Sequence, residues 1–95
     1  MLSIHESAER EIEEESDFYD LESMGLGNMF IDDVQKAIDN ISQFPEAATL
    51  VRDKLRKKML SKFPYALFYA TYPDRIRILA VAHQKRRPYY WRKRR

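Results

Sequence analysis

The chain has no cysteine, only two glycines, four prolines, two histidines and one tryptophan among its 95 residues. Without thiols there is no disulfide and no thiolate metal site. His5 and His83 stand far apart in sequence, so they offer no zinc-ligand spacing, and neither a metal nor an organic cofactor is expected. No apolar run is long enough for a bilayer span. The opening "MLSIHESAER" lacks a basic start and a long apolar stretch, so no secretory leader is expected. These absences point to a cytoplasmic protein with no membrane partner. The length predicts one domain over residues 1–95, burying roughly 60–65% of its unfolded surface.

Charge is abundant but divided. Residues 1–50 hold two Lys or Arg against thirteen Asp or Glu, and residues 51–95 hold fifteen against two. The halves therefore carry about −11 and +13, although the whole chain carries only +2. Two readings follow: the halves compensate one another inside the fold, or the basic half meets an acidic or polyanionic partner.

The scarce glycines and prolines punctuate the chain. Leu2 and Ile4 alternate with polar neighbours, as in a short strand. Residues 7–24 read as a helix with Ala8, Ile12, Ser16 and Tyr19 on one stripe. Gly25 and Gly27 break it; either can take the left-handed conformation that ends a helix, and Asn28 is the expected cap of the next. In that second helix Phe30, Val34, Ala37, Ile38, Ile41 and Phe44 recur every three or four residues, with Asp32, Asp33, Lys36, Asp39 and Asn40 mainly off the stripe, until Pro45 stops it.

Three strands are predicted beyond it, over 55–61, 65–72 and 75–83, separated by Pro64 and by Pro73–Asp74. In the last, Ile76, Ile78, Ala80 and Ala82 are expected on one face, with the alanines lying close beneath the helices. The order β-α-α-β-β-β, a helical hairpin on a mostly antiparallel four-stranded sheet, is an α+β domain.

The segment 84–95 forms a basic, aromatic C-terminal tail. "HQKRRPYYWRKRR" places seven Lys or Arg, two Tyr and one Trp in thirteen residues. Arginine with Tyr and Trp is the composition of protein-binding hot spots, which singles out Arg86, Arg87, Tyr89, Tyr90, Trp91 and Arg92 as target-binding candidates. The alternative is that an aromatic of this group packs back on the sheet, since Tyr and Trp join large burial to a polar tip. Bases could also stack among these cations, although no base-reading module is recognisable.

The order and motifs together resemble the RelE/ParE superfamily of bacterial type II toxin–antitoxin toxins. The resemblance runs through "SAEREIEEESDFY", "LGNMFIDDVQKAIDNISQFPEAA", "VRDKLRKKML" and "KFPYALFYATYPDRIRILAVAHQKRRPYYWRKR". It implies a toxin held inactive in a hetero-oligomer by a cognate antitoxin, whose acidic, partly disordered C-terminal segment folds on binding.

Two activities are implied by that superfamily: ribosome-dependent cleavage of messenger RNA, as in RelE-like members, and inhibition of DNA gyrase by binding, as in the ParE-like, plasmid-stabilising branch. RNA cleavage needs a proton acceptor, a proton donor and stabilised phosphate charge. If the chain is a nuclease, the candidates are Arg56, Lys58, Arg77, His83, Arg86 and Tyr90. Each also has a plain structural reading: solvated strand cations for Arg56 and Lys58, an ion pair for Arg77, and a strand-end hydrogen bond for His83. RelE-like nucleases carry an arginine within the strand that reads "YALFY" here, and Ala66 stands at that place. The expectation is therefore a non-enzymatic, growth-inhibiting toxin of the ParE-like branch, with gyrase as the implied target and the ribosome as the alternative.

Overall fold

In the computed structural model, which describes residues 1–85, 90, 91, 93 and 94, the chain runs β1 (Leu2–Ile4), α1 (Glu6–Glu22), α2 (Leu26–Gln43), β2 (Thr49–Arg52), β3 (Leu55–Met59), β4 (Tyr65–Tyr72) and β5 (Arg75–His83). The sheet order is β1-β5-β4-β3-β2, with β1 parallel to β5 and every other neighbour antiparallel. The α+β class and the helical hairpin are as expected. The sheet has five strands rather than four, because "TLVR" pairs with β3. The strand expected over 55–61 ends at Met59.

α1 starts at a cap supplied by His5, whose Nδ1 accepts from the Ser7 N–H at 3.0 Å. Glu6 and Glu9 complement the positive end of its dipole. Ala8 and Ser16 are buried, and Ile12 and Tyr19 pack on the core, so the predicted stripe faces the sheet. Gly25 takes φ +88°, a left-handed turn that lets α2 start at once. Asn28 thus lies inside α2 and is not its cap. Asp20 reaches across from α1 instead and accepts the Gly27 N–H at 2.8 Å.

Phe30, Val34, Ala37, Ile38 and Ile41 of α2 are buried, while Phe44 at its end is exposed. They close on Leu60, Tyr65, Leu67, Tyr69, Ile78 and Val81. Asp33 interrupts this apolar face. It is only 3% exposed and accepts backbone N–H groups from Ser61, Lys62 and Phe63, at 3.3, 2.8 and 3.1 Å. One carboxylate thereby satisfies the turn from β3 to β4.

A register shift separates Phe68 and Tyr69 of β4 as they pair with Ala80 and Ile78. Leu79 is the extra residue, and a bulge of this kind reverses which alternation faces the core. Ile76 and Ile78 join the helix-facing core before it, and Val81 joins it afterwards. Ala80 and Ala82, expected beneath the helices, lie opposite Phe68 and Ala66 on the other face.

Candidate functional site

Among the described residues of the tail, Trp91 lies back against the sheet. Trp91 is 4% exposed, and its ring lies 4.6 Å from that of Phe68 at an interplanar angle of 32°. Phe68 belongs to the sheet face away from the helices, together with Ala66, Ala70, Ala80 and Ala82, by strand register. Small side chains there leave room for an indole.

Glu11 of α1 holds the same segment from the other side. Its carboxylate accepts the Val81 N–H at 3.1 Å and the Tyr90 hydroxyl, and it pairs with Arg94 Nη1 at 2.8 Å. Arg94 Nη1 also donates to the Leu79 carbonyl at 3.2 Å and its guanidinium lies 5.2 Å from the Tyr90 ring. β1 reaches only to Ile78, so β5 beyond the bulge has an edge without a strand neighbour. Glu11 and Arg94 supply there the acceptor and donor that a neighbouring strand would supply. The sequence gives no periodic signal for this: Glu11 is one of many acids in α1, and the bulge that frees Val81 is hidden in an ordinary alternation.

The structure divides the candidates for RNA cleavage between two faces. Arg56 and Lys58 of β3 stand opposite Tyr69 and Leu67, on the helix side. Arg56 Nη1 donates to the carbonyls of Glu46 and Ala48, at 3.0 and 2.8 Å, and so fastens the chain entering β2. Arg77 stands opposite Ala70, on the other face, and donates to Ser3 Oγ at 3.0 Å. His83 stands opposite Tyr65, with ring centroids 5.1 Å apart, and its Nδ1 accepts the Lys85 N–H at 3.0 Å. Tyr90 is held by Glu11. Arg86, Arg87, Tyr89 and Arg92 lie outside the described residues.

Two phenols sit in the helix-facing core. The Tyr65 hydroxyl donates to Glu15, and that of Tyr69 to the Pro45 carbonyl at 2.8 Å. Burial pushes the Tyr65 hydroxyl far above its ordinary value, and the hydrogen bonds with Glu15 and Tyr19 push it the same way. Tyr69 is also raised by burial, with the nearby positive charge of Arg56 working against the shift. Both hydroxyls thus stay protonated as core hydrogen-bond donors.

Among the described residues no group of three His, Cys, Asp or Glu could hold a metal ion, and no helix is long and apolar enough to cross a membrane.

Comparison with known proteins agrees with this architecture. A solved structure of the chromosomal ParDE toxin–antitoxin system from P. aeruginosa superposes with a TM-score of 0.64 at 14% identity, covering 86% of this chain and 92% of that one. At that identity the likeness speaks to the fold. A search of curated proteins finds no match. The family described as "ParE toxin of type II toxin-antitoxin system, parDE" matches residues 2–88, and the chain belongs to that family.

Proposed function

We propose that this chain acts as a single toxin unit that arrests growth by binding DNA gyrase in the cytoplasm, and that a cognate antitoxin neutralises it. The antitoxin's acidic, partly disordered C-terminal segment folds as it binds, matching its charge to the basic half of the toxin. The target is met by the tail, through Arg86, Arg87, Tyr89 and Arg92 and the part of Tyr90 left uncovered, with Trp91 fixing the tail on Phe68.

The observation that favours a binding role over a catalytic one is the separation of the four nuclease candidates on β3 and β5. Arg56, Lys58 and His83 sit on the helix side of the sheet and Arg77 on the opposite face. In-line attack on a phosphate needs acid, base and charge stabiliser around one reacting group. Arg56 is moreover engaged with two carbonyls, and Ala66 is 2% exposed where a nuclease arginine would stand.

The experiment assays purified toxin for gyrase supercoiling and for cleavage of messenger RNA on ribosomes. Inhibited supercoiling without RNA cuts, relieved by co-expressed antitoxin, is the expected result. Codon-positioned cuts abolished by Arg77→Ala or His83→Ala would overturn it in favour of ribosome-dependent cleavage.

A further inference from the structure

One end of the sheet carries cations that form no ion pair among the described residues. β2 turns into β3 through Asp53 and Lys54, and β4 turns into β5 through Pro73 and Asp74. β3 and β4 are antiparallel neighbours, with Leu55 opposite Ala70, so both turns fall at the same end. The Lys54 carbonyl accepts the Thr71 N–H at 3.1 Å and ties one turn to the other hairpin. Tyr72 lies between them. Lys54 Nζ is 4.5 Å from its ring centroid, and the Arg75 guanidinium carbon is 4.7 Å from it.

Arg52 stands beside this pair, opposite Leu55, and exposed Lys57 follows along β3. Among the described residues, Arg52, Lys54, Lys57 and Arg75 form no ion pair, and neither do Asp53 and Asp74 in the two turns. Most of the acidic residues ride on α1 and α2, in the other layer. This end of the sheet therefore sets four cations against two carboxylates, Asp53 and Asp74, an excess of two positive charges, and Tyr72 holds Lys54 and Arg75 in place.

We propose that this end of the sheet binds the phosphate backbone of duplex DNA. Phosphates need fixed cations and no apolar burial, and the two turns, Asp53–Lys54 and Pro73–Asp74, are short and mostly charged. An acidic amphipathic peptide would need apolar anchors beside the charges. Single strands ask for open aromatic faces on which bases stack, and the Tyr72 ring is already engaged by two cations. The acidic helices, on the far layer, orient the molecule with this end toward the polyanion. The proposal does not depend on which enzyme the toxin poisons.

The test measures anisotropy of a labelled, sequence-random DNA duplex with the whole chain across a salt series. Lys54→Gln/Arg75→Gln is compared with Lys36→Gln/Lys62→Gln, which removes the same charge elsewhere. Removing two phosphate contacts should lower the slope of log K against log salt by about 1.8 and weaken binding roughly tenfold at moderate salt. The control pair should leave the slope unchanged, and circular dichroism should show both variants folded. Equal weakening in the two pairs would reduce the effect to net charge and overturn the site. So would a duplex that does not bind, or a polyglutamate peptide whose binding is the one lost from the Lys54/Arg75 variant.

Discussion

Glu11 and Arg94 meet at 2.8 Å across almost the whole length of the chain, and together they close the edge of β5. The acid accepts from Val81 and the base donates to Leu79, so an ion pair does the work of a missing strand. This is one place where the acidic half compensates the basic half directly, with side chains 14% and 20% exposed.

Glu11→Ala should therefore cost more than a surface charge. It orphans the Val81 N–H, takes the carboxylate from the Tyr90 hydroxyl and breaks the ion pair of Arg94, which keeps the Leu79 carbonyl. We expect about 2–3 kcal/mol in urea unfolding, short of the value for a fully enclosed pair because Arg94 keeps contact with water. Glu11→Gln, which retains an acceptor, should recover part of the loss. Trypsin should cut near Lys93 faster in the alanine variant. A loss below about half a kilocalorie would mean that the tail is not latched.

Asp33 offers a second stability test. Replacing it by Ala orphans three backbone donors at the β3–β4 turn. The expected loss is about 3 kcal/mol, with Asp33→Asn intermediate, since one amide oxygen can still accept. Chemical unfolding of both variants reads this ordering; equal losses for Ala and Asn would show that acceptor geometry is not what matters.

The helical hairpin was legible because its stripes follow the helix period: Phe30, Val34, Ala37, Ile38 and Ile41 all reach the core. Asp33 shows what periodicity weighs wrongly. It lies three residues after Phe30 and four before Ala37, on the buried side, but its charge counted it as surface. β2 escaped notice because it is four residues long and three of them are exposed. The bulge at Leu79 was invisible for a different reason: alternation continues through a bulge in the sequence while the faces change over in space. For the site, the sequence marked the tail by composition. That Trp91 rests on Phe68 depends on a contact between distant residues, which no local pattern encodes.

The two glycines should respond differently to alanine. A Cβ on Gly27 would lie 2.4 Å from the Ser16 carbonyl oxygen and 2.7 Å from the Asp20 carboxylate. Helix propensity favours Ala over Gly by about 1 kcal/mol, but backbone at that distance cannot give way, so Gly27→Ala should be a net loss with α1 and α2 forced apart. At Gly25 the space is open and only the positive φ resists, so about 1–2 kcal/mol is expected. Thermal melts that rank Gly25→Ala as the more damaging change would contradict this packing of the hairpin.

The buried phenols set the response to alkali. Folding raises both Tyr65 and Tyr69 above the ordinary tyrosine value of 10.0. Below about pH 10 the folded and unfolded chains both keep these protons, and the protonated core is fully stable. Above it the unfolded chain releases protons that the folded chain retains, so the unfolded state binds fewer and stability falls as pH rises. The slope is at most about 1.4 kcal/mol per pH unit for each tyrosine. Tyrosinate absorbance should accordingly rise in two stages, the second coinciding with loss of the far-ultraviolet dichroism. Tyr65→Phe should flatten the alkaline fall in stability, at the expense of the hydrogen bond to Glu15 at neutral pH. Glu15→Gln should let Tyr65 ionise at lower pH by removing a neighbouring negative charge, though burial, the largest cause, will keep it above 10.0. If every tyrosine titrates in one step near pH 10 while the dichroism stays native, the hydroxyls are open to water and the core has been wrongly placed.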